Sequence, residues 1–403
     1  MTGKRVIHSL TLRNLLSFGP DSQPIELGPL NVLIGPNGSG KSNFLTALSI
    51  LRAAPRDLSA PFVEGTSAEE WAWKGPAPRN ASSQIGADVM VPLIPVLINY
   101  SFSCRFFGNQ LRDLAEGISR ADNQPLSKER RSKPPLVEAS YYYRNAMGKA
   151  VIFTRGRWNE IPRDELDPQQ SILSQRKDPD QFEELTRLGR LFSDIGLYRS
   201  WTLGPRSLVR RAQPADMKGL VLEEDAGNLG LVLNRIKKDT RQKRKLVECF
   251  RLLYEGLKDV EALTEAGRVR VFVEEEGLGS SIPASRLSDG TLRWLELLAI
   301  LLDPEPGPVV CIEEPELGLH PDVIPKIAEL LVDASQRMQL IVTTHSEILV
   351  DALSGTPEAV LVCEKEKGST RVRRLSREQL GEWLKKYTLG QLWSKGELGG
   401  NRW

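Results

Sequence analysis

Gly35-Pro36-Asn37-Gly38-Ser39-Gly40-Lys41-Ser42 is the stretch that decides how this chain is read. It matches G-x-x-x-x-G-K-[ST], the pattern of a phosphate-binding (Walker A) loop. Small residues let successive backbone N–H groups turn inward around an anion, and a following helix adds its positive dipole end. Lys41 offers a cation to the β- and γ-phosphates of ATP, and Ser42 offers a hydroxyl to Mg²⁺. Glycines also make ordinary turns, so context matters. Leu30 to Ile34 (LNVLI) is an apolar run with the length of a buried strand, and Asn43 to Leu51 reads as a helix. Strand, loop and helix in that order are what the motif requires. The residues expected around the nucleotide are Gly35, Asn37, Gly38, Ser39, Gly40, Lys41, Ser42 and Asn43.

Further along, Val309-Val310-Cys311-Ile312-Glu313-Glu314-Pro315-Glu316 is an apolar strand that ends in carboxylates. A strand of this kind (Walker B) brings one carboxylate to the Mg²⁺ shell and a second to the attacking water. Glu313 is expected in the first role and Glu314 in the second, as general base. Glu313 stands where an Asp is usual, and its extra methylene implies contact through a metal-bound water or a small shift of the strand. Ser288-Asp289-Gly290 opens an apolar helix from a polar turn. On its own that is a serine N-cap.

In this order the motifs resemble those of ABC-type ATPases. Leu287-Ser288-Asp289-Gly290-Thr291 is similar to their LSxG signature. The resemblance implies that Ser288 and Gly290 bind the γ-phosphate of ATP held by a second subunit, giving a homodimer joined through two ATP molecules. It also implies a D-loop at Leu317–Pro321, with Gly318 and His320, and a switch histidine at His345 in Thr343-Thr344-His345-Ser346. A Q-loop glutamine on the metal is expected at Gln175, with Gln169 and Gln170 as competitors. Leu10–Pro20 (LTLRNLLSFGP) and Glu313–Pro321 (EEPELGLHP) narrow the likeness. They resemble the branch holding structural-maintenance-of-chromosomes (SMC) proteins, RecF and the ATPase halves of overcoming-lysogenization-defect (OLD) nucleases, all AAA-family-like ATPases. The resemblance is specific at both ends of the chain and vague between residues 55 and 265. No long heptad stretch suggests a coiled-coil arm, and nothing after Walker B reads as a Toprim nuclease domain.

Length and composition fit that picture. The chain has 403 residues, more than the roughly 250–300 at which single cores stop growing. The expected fold is α/β, an ABC-type core with a mixed central sheet, an antiparallel sheet and an inserted helical lobe. The expected division is 1–175 with Walker A, 176–266 as the helical lobe, and 267–403 with signature, Walker B, D-loop and switch histidine. Residues 108–135 read as a polar surface excursion, and Arg377–Tyr387 as a helix. The net charge of +2 neither demands nor excludes nucleic acid. The basic runs Lys237–Lys245 and Lys128–Lys133 read as solvated faces, with a DNA-facing patch as the sharper alternative. Cys104, Cys249, Cys311 and Cys363 form no CxxC pair, which fits a reducing, cytoplasmic setting. No signal peptide or membrane span is read; Val89–Ile98 is too short and carries two prolines. Trp393 and Trp403 near the C-terminus are expected to dock on the core or a partner.

The sequence therefore predicts an ATPase that uses ATP and Mg²⁺ and drives a separate, nuclease-like effector in DNA repair or anti-phage defence. A regulatory ATP switch acting on a partner or toxin is the alternative, and a transporter subunit a more distant one.

Overall fold

The computed structural model describes residues 3–63, 67–76, 81–94, 96–108, 110–121, 141–146, 149–154, 157–201, 204–216 and 221–399. Its centre is a six-stranded sheet. The strands are β3 (Leu30–Ile34), β10 (Gly196–Tyr198), β15 (Val309–Glu313), β16 (Gln339–Thr343), β17 (Val360–Glu366) and β18 (Ser369–Arg374), in the order β10-β15-β16-β3-β17-β18. All neighbours are parallel except the antiparallel β17–β18 pair. β3 thus lies between two strands from the last third of the chain.

The inner strands β3, β15 and β16 are largely apolar because the sheet is covered on both faces there. Side chains alternate across it. Val32, Val310, Ile312, Leu340 and Val342 enter one core, while Leu33, Val309, Cys311, Ile341 and Cys363 enter the other. The first core packs against α5 (Leu229–Lys238), α6 (Thr240–Arg251), α7 (Asp289–Leu302), α8 (Ile324–Ala334), α9 (Glu347–Ala352) and α11 (Leu389–Ser394). The second packs against α1 (Lys41–Ala53), α4 (Glu183–Ser193) and an antiparallel sheet. That sheet runs β2-β1-β4-β5-β6-β7-β8-β9. Its strands are β1 (Ile7–Arg13), β2 (Ile25–Glu26), β4 (Ser83–Met90), β5 (Leu97–Phe107), β6 (Gln110–Arg120), β7 (Tyr141–Ala146), β8 (Lys149–Thr154) and β9 (Arg157–Ile161). A smaller sheet holds β11 (Gln213–Pro214), β12 (Leu257–Glu265), β13 (Arg268–Glu275) and β14 (Ile282–Pro283). Three short helices, α2 (Ala60–Val63), α3 (Ile172–Gln175) and α10 (Arg377–Leu380), complete the fold.

Several expectations need correcting. Residues 110–120, read as part of a polar excursion, form β6. Its first half alternates exposed polar residues with buried Leu111, while Glu116, Ile118 and Ser119 in its second half are all buried. The stretch 176–266 supplies α4, α5 and α6, but it also places β10 in the central sheet and β12 in the small one. The last predicted helix stops at Leu380, next to Gly381, and continues as turns. Trp393 docks as expected, 7% exposed, on a helix closed by a capping box of Thr388 and Gln391. The run Lys128–Lys133 and Trp403 lie outside the described residues. All four cysteines are free and buried. Among the described residues no helix is long and apolar enough to cross a membrane.

Candidate functional site

β3, β16 and β15 are neighbours that end side by side. Glu313 pairs with Thr343, and Thr343 with Leu33. The loop after β3, the carboxylates after β15 and the Thr344-His345 pair after β16 therefore emerge together, at the strand ends where open α/β sheets bind ligands.

The loop glycines are there for steric reasons. Gly35, Gly38 and Gly40 have φ of 147°, 74° and 103°. A Cβ on Gly35 would stand 2.2 Å from the Cys363 carbonyl oxygen, and one on Gly40 would stand 2.1 Å from Thr370 Oγ1. The Thr370 hydroxyl donates to the Ser39 carbonyl at 2.8 Å and so closes the loop from β18. Lys41 is buried, and its Nζ donates to the carbonyls of Gly35 (2.8 Å) and Pro36 (3.0 Å). Asn37 and Gly38 at the tip are exposed, and Asn43 is half-buried on the first turn of α1.

The Ser42 hydroxyl donates to the Glu313 carboxylate, so the two proposed Mg²⁺ partners already meet. Both offer hard oxygen atoms, which suits that ion. Among the described residues no three His, Cys, Asp or Glu side chains cluster as a metal cage. The hydroxyls of Ser39 and Thr343, both beside the loop, are buried with no hydrogen-bond partner.

Glu314 has φ of 46°, a left-handed conformation that an L residue adopts at some cost. Its N–H donates to the Thr343 carbonyl at 3.0 Å, and its carboxylate lies 3.7 Å from His345 Nε2. The Glu316 carboxylate accepts from the Thr344 hydroxyl (2.6 Å) and the His345 N–H (3.1 Å), and burial raises its pKa. Ser288 caps α7 by accepting from the Thr291 N–H at 3.1 Å. A Cβ on Gly290 would stand 3.3 Å from the Gly318 carbonyl, so signature and D-loop touch.

Gln175, expected on the metal, is elsewhere. The Gln175 side chain holds its own turn. It accepts from the Asp167 N–H (2.8 Å) and donates to the Gln170 carbonyl (3.1 Å). Gln170 in turn binds Asp57 and Leu58, beyond the C-terminal end of α1. α1 has 13 residues and is about 20 Å long, so Gln175 and Gln170 sit at the wrong end of that helix to reach Ser42. Gln169 is exposed, with its N–H on its own neighbour Asp167. His320 is 63% exposed, faces Asp322 and caps a helical turn.

Other residues do meet the site without having been predicted. Arg199 donates to the Thr46 hydroxyl (3.0 Å), and the Trp201 indole N–H donates to the Glu313 carbonyl (3.1 Å). Arg293 lies 4.6 Å over the Trp201 ring and donates to the Glu314 carbonyl at 2.8 Å. Burial pushes the Arg293 pKa down to about 10 and that of the neighbouring Glu296 up to about 8. The only available hint of Glu316 was its place in the carboxylate-rich end of Walker B. Most of the basic run Lys237–Lys245 is neutralised, with Lys237 and Lys243 on Asp259, Arg244 on Glu248 and Lys245 on Asp333.

This fold is that of an ABC-type ATPase of the SMC/OLD-like kind. The family described as "AAA domain, putative AbiEii toxin, Type IV TA system" matches residues 30–87 and 159–351, more than half of the chain, and the chain belongs to it. Among curated proteins it is 28% identical over 137 residues to the Old nuclease of Escherichia phage P2, covering 31% of this chain and 23% of that one. It therefore spans about a quarter of that relative's length. Among solved structures, the Smc head domain of Pyrococcus furiosus, with an extended coiled coil and bound to the C-terminal domain of ScpA, superposes with a TM-score of 0.56. The identity is 14%, with 94% of this chain and 99% of that chain covered. The Smc head domain of Pyrococcus yayanosii gives 0.51 at 13% identity, covering 94% and 99%.

Proposed function

We propose that this protein hydrolyses ATP as a homodimer that sandwiches two ATP molecules with Mg²⁺. The observation that carries this reading is the convergence of the glycine loop, Ser42–Glu313 and Glu314–His345 at one sheet edge. The loop amides of Gly35, Asn37, Gly38, Ser39 and Gly40, and of Asn43 on the helix, surround the phosphates. Lys41 exchanges its two carbonyl partners for β- and γ-oxygens. Ser42 and Glu313 hold Mg²⁺, which when bound neutralises charge on the triphosphate. Glu314 takes a proton from the attacking water, and His345, held by Glu316, contacts the γ-phosphate. Ser288 and Gly290 of the other subunit complete the site, with Gly318 between the two.

Steady-state phosphate release tests the chemistry. Lys41→Ala should abolish it, and Glu314→Gln should lower kcat by about 100-fold or more, the weight of a lost general base. A Glu314→Gln protein as fast as its parent overturns the assignment of the base. ATP-driven dimerisation of Glu314→Gln, and its loss on adding Ser288→Arg, tests the sandwich.

For the output we infer a separate nuclease-like effector, in DNA repair or anti-phage defence. The partial likeness to a phage nuclease supports this. A second reading, a slow ATP switch that controls a toxin, draws on the family's own description as a putative toxin. Turnover separates the two, because a switch of that kind releases phosphate only slowly. Copurification of Glu314→Gln protein with ATP then identifies the partner.

A further inference from the structure

We infer that Arg210 is the positioning residue of the signature, holding Ser288 and Gly290 in place for the opposite subunit's γ-phosphate and neutralising the carboxylate beside them. This rests on the sandwich reading above.

The geometry is specific. The side chain of Arg210 is 12% exposed and reaches under the turn that leads into α7. Its Nη1 donates to the carbonyls of Leu287 (2.6 Å) and Ser285 (3.2 Å), the two residues' backbones that flank Arg286 just before Ser288. Its Nη2 pairs with Asp289 Oδ1 at 2.5 Å, on the residue just after Ser288. Its Nε donates to the Gly204 carbonyl (3.1 Å), and the Gly204 N–H returns to Asp289 Oδ1 (3.1 Å). One guanidinium therefore grips both sides of the signature serine, while that serine stays exposed.

Two physical consequences follow. The carbonyls of Ser285 and Leu287 lie in and just after a single helical turn, Ala284–Arg286, that joins β14 to α7. A planar five-donor fork can hold such a turn and the neighbouring carboxylate at once; an ammonium cannot. Binding a phosphate at a helix N-terminus needs the free N–H groups placed to within about 0.5 Å. The second consequence is electrostatic. Asp289 stabilises the free helix through the dipole, but its charge opposes an incoming triphosphate. Arg210 cancels that charge, in line with the lowered pKa of Asp289, whose largest cause is the Arg210 hydrogen bond.

Arg210 touches none of the phosphate loop, so its loss should spare ATP binding by the monomer and weaken only assembly. The experiment uses the full chain carrying Glu314→Gln. ATP-dependent dimerisation is measured by sedimentation, and ATP binding by the monomer with a fluorescent ATP analogue. Arg210→Ala should weaken dimerisation by about tenfold or more, the weight of one charge-assisted hydrogen bond, and leave analogue binding unchanged. Arg210→Lys should recover little of this. Adding Asp289→Asn to Arg210→Ala should recover part of it, because the uncancelled charge is gone. Equal dimerisation of the Arg210→Ala and parent proteins overturns the inference, as does an equal loss of analogue binding. If the Glu314→Gln parent itself fails to dimerise with ATP, the sandwich reading falls first.

Discussion

Replacing Arg293 with methionine should separate stability from catalysis. Arg293 is 6% exposed, and its guanidinium donates to the Glu314 carbonyl at 2.8 Å and lies 4.6 Å over Trp201. A charge-assisted hydrogen bond contributes about 1.5–3 kcal/mol, and a partly desolvated cation–π contact about 1–2 kcal/mol. Against this stands the cost of burial. The pKa falls from 12.5 to about 10 because burial outweighs the attraction of Glu296, Glu316 and Glu314, and at 1.36 kcal/mol per unit the net penalty on the charge is about 3 kcal/mol. The two sides nearly cancel, and methionine fills much of the same volume without a charge to desolvate. The expected change in unfolding free energy in urea is therefore within about 2 kcal/mol. Catalysis has no such compensation. The Glu314 turn keeps its left-handed backbone, φ 46°, partly because Arg293 holds its carbonyl. Freed of that bond, the carboxylate should spend less time facing water and His345, and kcat should fall about tenfold or more with ATP binding intact. A loss of more than about 4 kcal/mol in stability would mean the burial cost was overestimated. An unchanged kcat would mean that the turn holds itself.

Other substitutions probe other parts of the fold. Glu296 has a folded pKa raised to about 8 by burial, against 4.5 when free. The folded state therefore holds a proton that the unfolded chain has released, and stability should fall as pH rises from 4.5 to 8. Glu296→Gln should match its parent near pH 5 and exceed it at pH 9, as read by thermal unfolding across pH. Gly40→Ala puts a methyl 2.1 Å from Thr370 Oγ1 at φ 103°, so fluorescent-ATP binding should disappear while the far-UV spectrum is kept. Trp393→Ala removes a 7%-exposed indole from the core and should cost about 3–5 kcal/mol in urea unfolding; a loss under 1 kcal/mol would mean that the tail is not docked.

The parts of this protein that sequence reveals are those governed by local rules. Leu30–Ile34, Val309–Glu313 and Gln339–Thr343 are short apolar runs because both faces are covered, and each ends in a motif. Their chemistry follows from what must stand at a strand end. β6 was hidden because Glu116 and Asp113 make a strand look like a loop, although Glu116 is buried on the Tyr100 and Ser171 hydroxyls. The misplaced Gln175 shows the same limit. Its position between strands and helices fitted a ligand, but its amide is used up by the carbonyls of its own turn. Arg210 carries no local signal at all, since its carboxylate partner lies 79 residues away. The basic run Lys237–Lys245 reads as a solvated face with a DNA-facing patch as the alternative, and the fold sets Lys237, Lys243 and Lys245 on Asp259 and Asp333.

The position of β3 between β16 and β17 also sets an order of events at the ribosome. The phosphate loop is made well before the hydroxyl that closes it, which lies on Thr370, 331 residues beyond Ser39. At about 5–20 residues per second, tens of seconds pass before that partner exists. For most of that time the mainly apolar β3 has neither neighbour, since β16 and β17 begin only at Gln339 and Val360, and its edges are open to wrong pairing. The nascent chain cannot reach the finished loop geometry until Thr370 has been synthesised. A truncated product would be an aggregation hazard, not an unregulated enzyme.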